Sequence, residues 1–249
     1  MFLIKSSNIM KAFTKILALS ILFFSTTSCF IDNFTGIKGN GNVISENRKI
    51  DSDFDAIKVS QGIELILTQS EEFSLTVAAD ENIMDLLKTD VKGNTLHISF
   101  EKNVYRASSR KVYLSTETVS SLTTSSGANI VSENTIKSEN LDLDASSGSS
   151  INIKIRAQFV QCETSSGATM NVYGTTKSSK FRASSGSTIH ADTLKSENTT
   201  AKVSSGANID VYASESLTAK ASSGGDIDYA GNPKAIDKDT SSGGSVSAI

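Results

Sequence analysis

The chain has no tryptophan, one proline, two cysteines and two histidines in 249 residues. Each shortage closes something off. Two cysteines cannot build a disulfide framework or a cysteine-rich metal site. The histidines, His97 and His190, both fall on the outward side of strand patterns, where a solvated surface role is expected. No nucleophile-elbow sequence accompanies them, so the chain reads as a non-enzyme with no cofactor and no catalytic residue. One proline suits long unbroken strand pairing, because proline cannot donate to a ladder. Positive charge is also short. The net charge is −3, yet the first 28 residues hold three lysines and no acid, so the rest of the chain carries −6. That balance excludes nucleic acid as an expected partner.

What the chain does have is one tripeptide, seven times. Ser-Ser-Gly begins at Ser125, Ser146, Ser165, Ser184, Ser204, Ser222 and Ser241, at spacings of 21, 19, 19, 20, 18 and 19 residues. A fixed period near 20 residues marks a solenoid whose coils stack on their neighbours. Five places after each first serine stand Ile130, Ile151, Met170, Ile189, Ile209, Ile227 and Val246. Three places after it every residue is small, from Ala128 and Ser149 to Gly225 and Gly244. Three places before it are Leu122, Leu143, Cys162, Phe181, Ala201 and Ala219, with Lys238 breaking the last copy. Even offsets are polar, as in Asn129, Ser150, Thr169, Thr188, Asn208, Asp226 and Ser245. Odd inside and even outside is a period of two, which is strand and not helix. The expected fold is all-β: a single-stranded parallel β-solenoid with about 19–20 residues per coil. It is expected right-handed, because the apolar columns do not repeat every six residues.

The same alternation points the second serine inward. Ser126, Ser147, Ser166, Ser185, Ser205, Ser223 and Ser242 should then form a buried column, each hydroxyl answered by the next coil. Gly127, Gly148, Gly167, Gly186, Gly206, Gly224 and Gly243 should sit where the chain bends. Cys162 belongs to the inward set and reads as a buried free thiol.

The N-terminus is a processing signal. Lys5, Lys11 and Lys15 flank the start of a short apolar run, Ile16 to Phe24, followed by Ser25, Thr26, Thr27, Ser28 and Cys29. Met10 could serve as the start of a compact version. The ending resembles a bacterial lipoprotein signal in which the cysteine becomes the lipidated first residue, although Thr26 departs from the usual leucine. Residues 1–28 are therefore read as a signal peptide, Cys29 as the lipid attachment point and 29–38 as a tether. Residues 39–249 form one unit: an irregular first half, 39–121, and regular coils, 122–249. In the first half Gly39-Asn40-Gly41-Asn42 reads as a turn, and strands run through Phe54–Val77 with a bend at Gly62. Asp80 opens one short helix through Leu87, and Lys92-Gly93-Asn94 turns into a further strand.

These pieces together resemble the bacterial head-GIN domain family, labelled putative auto-transporter adhesin and found in lipoproteins of Bacteroidetes type. The matching stretches are Phe54-Asp55-Ala56-Ile57-Lys58-Val59, Glu81-Asn82-Ile83-Met84 and Gly93-Asn94-Thr95-Leu96-His97-Ile98. The Ser-Gly-Ala repeats match as well, as do Asp228-Tyr229-Ala230-Gly231-Asn232-Pro233 and Ser242-Gly243-Gly244-Ser245-Val246. The resemblance spans nearly all of 39–249 and implies a β-solenoid without established enzyme activity or cofactor.

The expected function is that of a cell-envelope protein, an outer-membrane lipoprotein facing periplasm or surface. Its membrane contact is the N-terminal lipid, and a polar outer face binds a glycan or a surface protein. Two alternatives stand beside this: a self-associating envelope protein pairing through an exposed end coil, and a carbohydrate-active enzyme. Two places before each tripeptide stand Thr123, Asp144, Glu163, Arg182, Lys202, Lys220 and Asp239, read as a solvated mixed-charge column in which Glu163 and Arg182 pair. Tyr173 and Tyr212 are candidate sugar platforms, whereas Tyr229 has an inward offset. Gly224-Gly225-Asp226-Ile227-Asp228 only faintly matches a calcium-binding repeat, which would recur every nine residues, so no metal site is expected.

Overall fold

In the computed structural model, residues 36–50 and 53–249 are described. The expected signal segment and Cys29 lie outside them. Strand accounts for 65 % of the described residues and helix for 3 %, so backbone pairing between strands carries the fold, in a parallel β-solenoid of about 7 turns. Coils pair parallel and in register. Ile130 faces Ile151, then Met170, Ile189, Ile209, Ile227 and Val246. Every member of that file except Val246 is fully buried. Within a coil the inward parity changes once. Along Ser150–Thr164, Ile151, Ile153, Ile155 and Ala157 point in; after a bend at residues 158–159, Val160, Cys162 and Thr164 do.

The other corner is the tripeptide, and here the structure corrects the sequence reading. The second serines have φ of 49–56° and the glycines after them 67–77°. Two consecutive left-handed residues are the signature of a type I′ turn. The amide three residues on closes each turn, as from Ala128 to the Ser125 carbonyl at 3.2 Å. Parity counting assumes extended backbone, and this turn breaks it, so Ser126, Ser147, Ser166, Ser185, Ser205, Ser223 and Ser242 are exposed rather than buried. A Cβ on any of the turn glycines would meet nothing within 4 Å. Glycine is therefore required there by φ and not by space.

The buried hydroxyls lie elsewhere. Ser149 and Ser187, three places after the first serine, bond Thr124 and Thr164 of the preceding coil, each at 2.9 Å. The coils between carry alanine at both positions (Ala145 with Ala168, Ala183 with Ala207), so a polar pair alternates with an apolar one. At the opposite corner Ser179 bonds Ser196 and Thr199. No buried side-chain polar atom among the described residues is left without a partner.

In the first half, chain order and coil order differ. Ala56–Val59 and Glu64–Gln69 form two limbs of a coil about their own left-handed corner at Gln61 (φ 62°) and Gly62 (φ 68°). One side of it receives Ser121–Thr124 and residues 129–132. Its other side receives Thr95–Phe100 and Arg110–Thr116. So the chain leaves this coil, builds the layer beyond it, and returns to stack on the opposite side. The outer layer is closed by antiparallel strands. Leu87–Lys92 lies on Thr95–Phe100, Ser74–Asp80 on Arg110–Thr116, and Val43–Asn47 on Ser74–Asp80. Ile37–Lys38 pairs with Val104–Arg106, so the expected tether does not extend to Lys38.

The short helix is a 3₁₀ turn, Glu81–Leu86. Asp80 precedes it but makes no cap bond.

The buried file and the exposed serine should respond in opposite ways. Ile151→Ala should cost about 2–5 kcal/mol, because the cavity lies between two stacked coils. Ser147→Gly removes a left-handed strain of roughly 1–2 kcal/mol, partly offset by the freer unfolded chain, so it should be neutral or mildly stabilising. Urea denaturation midpoints of the two variants check both signs; a destabilising Ser147→Gly would contradict the turn assignment.

Candidate binding groove

Outward side chains also stack in register. The column two places before the tripeptide runs Asp144, Glu163, Arg182, Lys202, Lys220, Asp239. It continues into the first half through Thr123, Lys58, His97 and Asp90. Lys58, His97 and Asp90 were invisible as members of it because the chain visits their coils out of order. The signs are sorted into blocks rather than mixed: two acids, three bases, one acid. Arg182 reaches Glu163 at 3.4 Å and Lys220 reaches Asp239 at 3.2 Å. Both pairs are exposed and worth about 0–1 kcal/mol. Lys202, between them, has no ion-pair partner among the described residues.

This column walls a groove of about 560 Å³ that follows the solenoid axis. Its other wall is the first-serine column, Ser165, Ser184, Ser204, Ser222 and Ser241, and Thr164, Ala183, Val203 and Ala221 contribute to the lining between them. No aromatic residue lines it. At the acidic end, burial raises the Asp144 pKa, the adjacent Glu163 adds to the rise, and Lys58 opposes it. His97 is held below its usual pKa by burial, then by Lys92 and Lys58, against Asp90.

The other outer face carries Asn129, Ser150, Thr169, Thr188, Asn208, Asp226 and Ser245 in one register. Ser150 donates to Asn129 at 2.8 Å and Ser245 bonds Asp226, so part of this row is spent on itself. Next to it His190 Nδ1 lies 2.6 Å from the half-buried Asp210 on the outer face. Of the tyrosines, Tyr229 is buried, Tyr212 is covered by Lys195 at 3.9 Å, and Tyr173 remains exposed. Cys162 is buried and its thiol is pushed up by burial and then by Asp142, which leaves it inert. Gly224 is a turn residue, which accounts for the glycine of the faint calcium pattern; no cluster of three or more His, Cys, Asp or Glu among the described residues could hold a metal ion.

A second constellation was missed because its members are 28 to 39 residues apart in sequence. The fully buried Asp80 carboxylate accepts from the Gly41 amide at 2.8 Å and from the Ser108 and Ser109 amides at 2.9 Å each. A Cβ on Gly39 would lie 2.1 Å from that carboxylate, so only glycine fits there. Asn82 completes the clamp, accepting from Asn40 and donating to Lys38. The sequence Gly39-Asn40-Gly41-Asn42 is thus the strap by which the N-terminal segment is held to the closed end of the solenoid.

The family described as "Putative auto-transporter adhesin, head GIN domain" matches residues 53–233. The chain belongs to the head GIN domain family. Three crystal structures share the fold of this head GIN protein. A "putative adhesin" from Bacteroides fragilis has 22 % identity and TM-score 0.80, covering 86 % of this chain and 100 % of its own. A "putative adhesin" from Parabacteroides merdae has 19 % identity and TM-score 0.70, covering 86 % and 98 %. A "putative lipid binding protein" from Parabacteroides distasonis has 23 % identity and TM-score 0.71, covering 86 % and 99 %. No curated protein matches the chain.

Burial alone would raise the Asp80 pKa; the amides of Gly41, Ser109 and Ser108 and the charge of Arg110 together outweigh it and hold it below 3.8. A carboxylate lowered on folding stabilises the native state above its ordinary value, and that stability is lost as pH falls through the lowered one. Asp80→Asn puts an N–H against the Gly41 amide and should cost about 1–3 kcal/mol at neutral pH. The gap between wild type and variant should close in acid, below 3.8. Denaturation across pH checks it; a gap independent of pH would contradict the ionised clamp.

Proposed function

We propose that this head GIN protein is a lipid-anchored, non-catalytic module of the cell envelope that binds a glycan or surface protein through its polar outer columns. The observation that carries the reading is their arrangement. Outward groups are spread as in-register files over several coils, with an open groove along the axis, rather than converging on one reacting point. The family description and the "putative adhesin" structures point the same way. The anchor rests on the sequence: three lysines, a short apolar run and Cys29. No helix among the described residues is long and apolar enough to cross a membrane. More than one acyl chain on Cys29 would give stable attachment where a single chain is marginal.

A carbohydrate-active enzyme is the second reading, favoured by one observation. Asp144 and Glu163 face one another in register at one end of the groove, and Asp144 is raised. Self-association draws support from Ala235–Thr240, which is exposed along its length and pairs on one side only.

Two measurements test the proposal. Cys29→Ser should move the expressed chain from the membrane fraction to the soluble one and abolish labelling by a fatty-acid analogue; unchanged fractionation would remove the anchor. The full chain applied to glycan and surface-protein arrays should bind at least one class without turnover. Silence on both arrays would remove the binding reading, and polysaccharide cleavage abolished by Asp144→Asn or Glu163→Gln would replace it with the enzyme.

A further inference from the structure

We infer that the groove is a site for a linear acidic polysaccharide lying along the solenoid axis over Arg182, Lys202 and Lys220; the inference rests on the binding reading above. Arg182 stands directly opposite Lys202, and Lys202 directly opposite Lys220, in adjacent parallel strands. Like charges facing each other across a sheet destabilise it. Arg182 and Lys220 are drawn to Glu163 and Asp239 in exposed pairs worth little, but Lys202 between them has no acid partner among the described residues, and elsewhere the outward positions tolerate serine, threonine and asparagine. An anionic group above each base removes the repulsion, and the three bases repeat at the coil spacing of about 4.8 Å. Opposite them stands a row of hydroxyls. Those of Ser165, Ser184, Ser204 and Ser222 have no hydrogen-bond partner among the described residues, and each can both donate and accept.

The groove also says what it does not take. Its backbone groups are already spent in the ladder between coils, as in the amides of Ser184 and Ser204 bonding the carbonyls of Thr164 and Ala183. A peptide laid along the axis crosses the strands and cannot add to them, so the main-chain recognition that peptides use at sheet edges is missing. With no aromatic in the lining there is nothing for a neutral sugar ring to stack on. Charge and hydroxyl contacts remain, which is the chemistry of a uronate- or sulfate-bearing chain. The acids at both ends, Asp144 with Glu163 and Asp239, confine the anionic segment to the coils between.

The test uses the full chain against polygalacturonate, its neutral methyl ester and dextran sulfate. Polygalacturonate or dextran sulfate should bind, the ester should not, and binding should weaken as salt rises. Lys202→Gln should weaken it about tenfold, the loss of one charge-assisted contact, and Arg182→Gln/Lys202→Gln/Lys220→Gln should abolish it. Lys154→Gln, an exposed lysine outside the groove lining, should change nothing. Lys202→Gln relieves two repulsions, so its denaturation midpoint should not fall, and misfolding cannot explain the loss. Equal binding of acid and ester, binding that survives the triple substitution, or no binding of either acidic polymer would each overturn the inference. The binding reading would then still stand or fall on the arrays alone.

Discussion

Along one corner of this protein, seven hydrogen bonds run from glycine to glycine's neighbour one coil on. The amides of Gly62, Gly127, Gly148, Gly167, Gly186, Gly206 and Gly224 donate to the carbonyls of Ser126, Ser147, Ser166, Ser185, Ser205, Ser223 and Ser242 at 3.0–3.2 Å. They exist only because two successive residues at each corner are left-handed. That geometry turns the glycine amide toward the following coil, while the first serine's amide points to the preceding one. Backbone pairing therefore continues around a tight bend, where a loop would otherwise interrupt it. Each corner costs roughly 1–2 kcal/mol of strain at its serine, offset by a closing bond, a bond to the next coil and the register of everything that follows.

Register is what the rest depends on. Fixing each corner over the last places Ile130 over Ile151 and Met170 over Ile189, and on the outside it places Arg182, Lys202 and Lys220 in one file. Core and groove are thus two faces of the same constraint. The longest coil, 21 residues between corners, absorbs its excess before the second bend, where residues 132–134 stand opposite the single Ile153 and the bend itself stays in register. The closed end follows a different rule. Antiparallel strands finish the ladder there, and the Asp80 clamp fastens the N-terminal segment to them.

Most of this was legible because strand parity is a period of two. The inward file from Ile130 to Val246, the burial of Cys162 and Tyr229 and the pairing of Glu163 with Arg182 all follow from counting offsets. Counting fails where the backbone leaves the extended region, which is why Ser126 and its equivalents came out facing the wrong way. The buried hydroxyls left a trace that could have been read: Thr124 and Ser149, then Ala145 and Ala168, alternate along the repeat as partners do. Gly62 was read only as a bend because its coil shares the corner's conformation but not its tripeptide. The swapped coil order of the first half, and with it Lys58 and His97 in the charged file, depends on antiparallel pairings that no local pattern encodes. Asp80 was misassigned because an acid before a short helix usually caps it, whereas this one turns to amides far along the chain.

Amide hydrogen exchange at the corner glycines tests the central claim most directly. Gly127, Gly148, Gly167 and Gly186 are exposed residues on the outside of turns, where an unbonded amide would exchange within the dead time. Bonded to the next coil, their amides should be as protected as those of the flanking strands, and Gly243 (with no coil after it among the described residues) should exchange fast. Rapid exchange at all of these glycines, with the strands still protected, would contradict the account.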